Sequence, residues 1–421
     1  MEIQKYLKPD TSWSAAFHVY LNRRVLTMLF LGFSAGLPLL LIFSTLSLWL
    51  REAGVDRSAV TYFSWAALAY SFKFVWSPVI DKLPLPFLHG VLGKRRSWLL
   101  VAQLLIMSAI ILMAMTNPVN GLEGMAIAAV LLGFSSASQD IVIDAYRIEI
   151  ISEKYQAAMS AMYIAGYRIG MMTAGAGGLY LAAFFGVENQ YSYSAWQTTY
   201  LIMSSVMLVG VITTLLINEP DKNTSEESYL HDLSDYIRFV LMFAVMVASF
   251  IYGFNVFNFG ISITFVNEFL RLLLSLFLSL GAMYLLVMLK VVNKGMVYNT
   301  YVEPVVDFFK RYGKTALIIL LLVGFYRVSD IVLGVISNVF YQDMGFNKNE
   351  IATTAVLFGL IMTLVGGFFG GIMTMRYGVM RILLLGAILS ALTNLLFMLL
   401  AHNGHDIVLL GFVIAADNLS A

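Results

Sequence analysis

The sequence predicts an all-α protein built from membrane-crossing helices, and three observations carry that prediction. Of 421 residues, 60% are hydrophobic and only 12% are charged, against roughly 25% charged in a soluble domain, so this composition cannot furnish a soluble surface. Apolar runs near the ~20 residues that a bilayer requires recur from Val25 to the end of the chain. Basic residues, finally, lie mostly to one side of those runs.

Taken in order, the chain opens with a polar, basic segment before the stretch from Val25 to Leu50, which is too long for a signal-peptide core and reads as an uncleaved first helix. Further spans are predicted at 58–80, 97–116, 123–147, 157–185, 196–217, 237–260, 269–290, 315–342, 352–375, 381–401 and from 406 onward. With Lys73, Arg168 and Arg327 set aside as lying inside spans, every Lys and Arg except Arg51, Arg57, Arg271 and Lys348 falls on the side of the N-terminus. That side is therefore expected to be cytoplasmic. A missed or invented helix would scramble the sorting, so the asymmetry also supports the span map.

Asn218 to Asp235 is a long polar connection carrying Glu219, Pro220, Asp221, Glu226 and Glu227, and reads as a linker. Two more apolar helices follow; an even number returns the chain to its starting side before the basic segment Lys290 to Lys314. The predicted organisation is a six-helix bundle over 1–218, a linker with two added helices over 219–310, and about three and a half helices of a second, parallel bundle over 311–421. Two further helices are expected beyond Ala421. SPVIDKLPLPFLHGVLGKRR (77–96) and GGIMTMRYGVMR (370–381) occupy corresponding loops of the two halves and form a weak internal repeat, although any short cytoplasmic loop collects Lys and Arg.

Several function classes are disfavoured. Cysteine is absent, which removes disulfides, thiolate metal sites and Cys nucleophiles. The histidines fall in tails, loops or span ends, and His402, His405 and Asp406 are too sparse a ligand set for a metal centre. There is no HExxH and no P-loop. The expectation is a monomeric non-enzyme without metal, cofactor or nucleic-acid partner, immersed in a lipid bilayer.

A charge near the bilayer centre costs several kcal/mol unless it is paired or faces water, so each one asks for a reason. Asp140 lies about seven residues, or roughly 10 Å, inside Arg147, and Arg168 lies roughly 16 Å beyond Ala157 from the same side. These depths allow an ion pair that orients two helices, or a part in proton or substrate handling. Ser136, Gln139, Asp140, Ile143, Asp144 and Arg147 follow i, i+3, i+4 spacing and form one mostly polar stripe that must face protein or water. Asp144 with Arg147 reads as a gating or interfacial salt bridge, and Lys73 can snorkel toward the headgroups. Arg327 with Asp330, and Asp417 followed by Asn418, fall near mid-depth in the later spans. Gly166 and Gly170 permit close helix contact, while Gly36 and Pro38 can kink the first helix. Trp49, Trp65, Trp76, Trp98 and Trp196 suit interface anchors or platforms for a sugar.

The segments LGFSAGLPLLLIFSTLSLWLREAGV, YSFKFVWSPVIDK, GKRRSWLL, GFSSASQDIVIDAYR and GYRIGM, with the later FYRVSDIVLG, LVGGFFGGIMTMRYG and DNLSA, resemble the AmpG-type muropeptide permeases of the major facilitator superfamily. The resemblance covers most of the first six spans and roughly the last hundred residues. It implies the major facilitator fold of two pseudo-symmetric six-helix bundles, and proton-driven import of anhydro-muropeptides, sugar-peptide fragments of peptidoglycan, across the bacterial inner membrane. The second bundle is expected to be incomplete here, and the helix pair between the halves has no counterpart in the segments quoted.

By position, Gln139, Asp140 and Asp144 match the SASQD segment, Lys73 the FKF segment and Arg168 the GYR segment. On this reading Arg168, Arg327, Lys73, Gln139 and Asn418 engage substrate. Asp140, Asp330 and Asp417 handle the coupling proton. Asp81, Lys82, Arg95, Arg96, Asp144 and Arg147 gate the cytoplasmic side. Another organic anion such as an acyl-CoA or a peptide, or a non-transporting sensor on the same fold, are the competing readings.

Overall fold

The computed structural model describes residues 18–56, 60, 63, 70, 73, 76–152, 155–187, 190–220, 233–257, 259–260, 264–313, 315–318, 320–321, 340–341, 344–346 and 350–420. The predicted helical architecture is observed, and eight helices among the described residues are long and apolar enough to cross a membrane. The predicted spans 58–80 and 315–342 lie mostly outside the described residues.

The first span consists of α1 (Arg23–Ile42) and α2 (Ser44–Glu52), separated by a single non-helical residue, Phe43, with φ −98° and ψ −89°. Short helices α3 (Ser77–Lys82) and α4 (His89–Leu92) lead into α5 (Lys94–Ala114), which is followed by α6 (Leu122–Ile150). The fifth span is α7 (Gln156–Met172), a π-helical turn Thr173–Gly177, and α8 (Gly178–Phe185). A π turn widens the helix and loosens its ladder. Thr45 of α2 donates its hydroxyl to the Ala174 carbonyl in that turn at 3.2 Å, which satisfies an acceptor there. The sixth span is α9 (Tyr193–Val206) and α10 (Leu208–Leu216).

Close packing of α1 on α7 follows from glycines on both sides of the contact. A Cβ at Gly32 or Gly36 would collide with the backbone carbonyls of Tyr163 and Tyr167, and one at Gly166 with that of Leu29. Between helices in lipid there is little hydrophobic drive, so this backbone-to-backbone approach, made of van der Waals contact, is what holds the pair. Elsewhere the bundle core is largely apolar. Trp49 and Trp196 are buried to within 2% and stack with ring centroids 5.7 Å apart. Both rings are packed in protein while a polar edge reaches the end of the span: Trp196 Nε1 donates to the exposed Glu52 at 2.7 Å.

The chain divides into two compact units, Met1–Asp221 with Ser329–Ala421, and Lys222–Val328. The second holds α11 (Leu233–Val256) and α12 (Thr264–Met288), an antiparallel hairpin, followed by α13 (Lys294–Val297), a π turn Tyr298–Val302 and α14 (Glu303–Tyr312). Ser279 donates to the Met246 carbonyl across the hairpin at 2.9 Å, and Arg271 stacks over Phe254 while bonding its carbonyl at 2.6 Å. In the first unit, a π-helical stretch Ile351–Phe358 runs into α15 (Gly359–Tyr377), then α16 (Val379–Asn403) and α17 (Ile407–Ser420). Helix α15 packs on α7, where Gly371 faces the Ala157 carbonyl, and Tyr20 donates to the Phe368 carbonyl at 3.1 Å.

Candidate functional site

Helix α6 carries the site because its polar stripe turns inward. Ser135, Ser136, Gln139 and Asp140 are all buried, the last at 8% exposure, inside a bundle whose surroundings are largely apolar. A helix in lipid must hide such groups in protein or water. Opposite them, α7 presents Tyr163, which donates to Asp140 Oδ1 at 3.4 Å, and Tyr167, one turn on, whose ring centroid lies 5.9 Å from that of Tyr163. Tyr70 faces Ser136 and Asp140 from the second span, and Lys73, half-buried, is the cation within electrostatic reach of that carboxylate. Neither end of the Gln139 amide, nor the Ser135 hydroxyl, has a hydrogen-bond partner among the described residues. Buried amides are ordinarily satisfied, so donors and acceptors left over in a cluster with a carboxylate mark a place where water or a solute bonds.

The arrangement corrects one expectation. Arg168 is exposed and, among the described residues, makes no ion pair with Asp140. The reason is helical phase: Tyr163 and Tyr167 are separated by four residues and share a face, whereas Arg168 is turned a further ~100° and shares the exposed face of Ile164. Depth along the axis allowed the pair, and azimuth forbids it. Arg327 and Asp330 lie outside the described residues.

In the later helices Asp417 and Asn418 are held by threonines. Thr393 of α16 donates to Asp417 Oδ1 at 3.2 Å, and Thr363 of α15 lies 2.8 Å from Asn418 Oδ1, while Asn418 Nδ2 bonds the Ile414 carbonyl at 2.9 Å. These bonds tie α17 to both neighbours through polar groups in the spans.

A second cluster sits at the basic end of the first bundle. Arg95, 4% exposed, bonds Asp81 at 2.7 Å and grips Glu149 with both its Nε, at 2.8 Å, and its terminal NH2 group. Such bidentate geometry suits guanidinium better than any other cation. Glu219 accepts from the backbone N–H groups of Arg95 and Arg96 at 2.7 and 3.0 Å, capping the start of α5 where amides have no intrahelical partner. Gly93, at φ +86°, makes the turn before them, and a Cβ there would strike the Glu219 side chain. Arg96 donates to the Thr214 and Leu215 carbonyls, Arg23 to that of Leu216 and Arg24 to that of Ile150, so three arginines close the C-terminal ends of α6 and α10. Asp144 pairs with Arg147 at 3.3 Å, and Arg147 also donates to Ser160 at 2.9 Å. Lys82 ends α3. Sequence reasoning pointed to Asp81 and the arginines but not to Glu149 or to the capping role of Glu219; a lone acid at a helix end carries no signal of which distant cation it will meet.

At the opposite end of the bundle, a cavity of about 880 Å³ is lined by Leu48, Glu52, Gln190, Tyr191 and Trp196.

These features define a multi-pass helical membrane protein with a buried ionisable site inside one bundle. Residues 28–325 match the family model of the Major Facilitator Superfamily. The Rickettsia conorii transporter named AmpG 4 is 32% identical over 403 residues, covering 96% of this chain and 80% of that protein. The anhydromuropeptide permease of Escherichia coli is 28% identical over 407 residues, covering 96% of this chain and 66% of the relative. In fold, the chain is similar to the solved structure of the proton:xylose symporter XylE, with a TM-score of 0.50 at 12% identity, over 97% of this chain and 79% of that one. The chain belongs to the major facilitator superfamily, among its AmpG-type members, and is a membrane transporter.

Proposed function

We propose that the protein is a proton-coupled importer of anhydro-muropeptides in a bacterial inner membrane, with its N-terminus cytoplasmic. The observation that carries the reading is the buried carboxylate of Asp140, set among Tyr70, Lys73, Gln139, Tyr163 and Tyr167 with amide groups to spare. A carboxylate inside a membrane bundle is a natural proton carrier. Lys73 and the Gln139 amide supply a cation and a neutral hydrogen-bonding pair, which suits a substrate that combines peptide carboxylates with a sugar. The names of the Rickettsia and Escherichia coli relatives point to the same substrate class. In this mechanism Asp140 takes a proton from one side, and Lys73 and Gln139 hold the substrate. Arg168, Arg327, Asp330, Asp417 and Asn418 contribute from the remaining helices, and the Arg95 cluster holds the cytoplasmic helix ends together until the bundles rock.

The test is uptake of a labelled anhydro-muropeptide by cells lacking their own permease and carrying the full-length parent gene, with and without a protonophore. Concentrative uptake abolished by the protonophore is expected. Asp140→Asn should reduce accumulation at least ten-fold while Asp140→Glu retains part of it. No uptake in the unmodified protein removes the substrate assignment, uptake indifferent to the protonophore removes the coupling, and normal accumulation by Asp140→Asn removes that residue from the mechanism.

A further inference from the structure

The added hairpin holds a cavity that the transport reading does not use. Its volume is about 400 Å³, and its lining brings Asp235 and Arg238 from the start of α11 together with Val287, Met288, Lys290, Asn293 and Lys294 from the end of α12 and the start of α13. Three of these side chains are cations. Arg238 is the second residue of the apolar stretch Ile237–Val256, and Lys290 stands two residues after the stretch Phe269–Met288 ends. The cavity therefore sits where two adjoining spans leave the hydrocarbon together, which is the level of lipid phosphates.

Among the described residues, none of Arg238, Lys290 and Lys294 is in an ion pair. The polar groups beside them are already oriented: Asn293 Nδ2 donates to Asp235 at 3.4 Å, and Asn293 Oδ1 accepts from Gly295 N at 2.9 Å. Lys290 adopts φ +56°, a left-handed conformation at a helix end where glycine is the usual residue. A side chain kept there at a cost in backbone strain invites a functional explanation.

The surroundings fit a lipid as well. Only 22% and 11% of the two apolar stretches are buried, so both present long apolar faces beside the cavity for acyl chains. The segment that continues from Lys294 is amphipathic: Val305, Phe309 and Tyr312 are exposed along one face of α14, and Phe239 of α11 stacks on Tyr301 with ring centroids 6.1 Å apart. A helix of that kind lies at the headgroup boundary.

We propose that this cavity binds the phosphate headgroup of an anionic phospholipid. Arg238, Lys290 and Lys294 neutralise the phosphate, the Asn293 amide helps to orient it, and Val287 and Met288 meet the start of the acyl chains. Free inorganic phosphate shares the headgroup's chemistry but not its apolar tail.

The test uses the whole chain in discs containing phosphatidylglycerol and phosphatidylcholine, with native mass spectrometry after mild delipidation reading the ratio of the two lipids retained. The unmodified protein is expected to retain phosphatidylglycerol selectively. The combined variant Arg238→Gln, Lys290→Gln, Lys294→Gln should lose that selectivity at least ten-fold. Lys310→Gln with Arg311→Gln, which removes two cations outside the cavity, should change it less than two-fold. Lys290→Gly keeps the proposal testable if the combined variant does not fold: glycine suits the left-handed backbone, so stability should hold or rise while selectivity falls about three-fold. Equal losses in the cavity variant and the Lys310, Arg311 variant would reduce the effect to general surface charge and overturn the site. Unchanged selectivity in both cavity variants, or complete displacement of the lipid by excess inorganic phosphate, would overturn the lipid assignment.

Discussion

Helix α6 and the stretch Phe269–Met288 of α12 are both long and apolar enough to cross a membrane, yet 72% of the apolar window is buried in the first and 11% in the second. The difference lies in how many polar residues the helix carries and how many neighbours they meet. On α6 they recur every third or fourth position and must turn inward, so the helix is drawn into the bundle and takes its neighbours' shape. On α12 the stripe Asn267, Arg271, Ser275 and Ser279 turns toward the one neighbour α11, and lipid solvates the remaining apolar faces as well as protein would. Burial in a membrane protein is thus set by the polar minority of residues, and a region's tolerance of change should follow it.

The strongest way to break that contrast is one substitution made in both regions. Gly166→Leu in α7 should abolish recovery of monodisperse protein, since even a Cβ there overlaps the Leu29 carbonyl. Gly281→Leu in α12, where nothing lies within 4 Å of the added carbon, should leave stability equal or raised by up to about 1 kcal/mol through helix propensity. Size-exclusion profiles and thermal unfolding in detergent check both, and similar outcomes at the two positions would defeat the contrast.

Charge offers the next comparison. Arg95→Gln leaves Asp81 and Glu149 without their cation and should cost about 3 kcal/mol, the low end for a buried network because Asp81 is 48% exposed. Arg238→Gln, at the exposed end of the α11–α12 hairpin, should shift stability by less than about 0.5 kcal/mol. Thermal shift measurements decide, with Arg95→Lys expected in between because it keeps charge but not the bidentate grip.

The smallest effect concerns Tyr20, which lies outside the spans. Burial pushes its phenol from 10.0 up to about 12, favouring the neutral form in the folded protein. Its contribution is therefore complete below pH 10 and is lost as the pH rises through about 12. Tyr20→Phe should cost no more than about 1 kcal/mol, the worth of its bond to the Phe368 carbonyl, and should remove an alkaline loss of resistance to proteolysis in that interval.

Much of this was legible in the residues. The eight long apolar helices, the inward stripe of α6 and the small-residue contact of Gly166 and Gly170 are properties of spacing along one helix, and spacing is what a sequence displays. The partner of Asp140 was not legible: depth along the axis allowed Arg168 as one of two readings, and the structure supplies Tyr163. Glu149 and Glu219 were missed because their importance depends on where Arg95 and the first turn of α5 come to rest. The partners of the tryptophans were not legible for the same reason: Trp49 bonds Tyr191 and Trp196 bonds Glu52, contacts between distant parts of the chain.

Composition and periodicity alone therefore settle that this chain lives in lipid, how many residues each crossing takes and which face of a helix must hide. These follow from transfer free energies, which depend on one residue and its solvent. Which cation meets which carboxylate, and whether a buried amide is left with spare bonds, were decided by tertiary structure. Such pairings need an azimuth and a separation of a few ångströms between helices, and no local pattern along the chain encodes either.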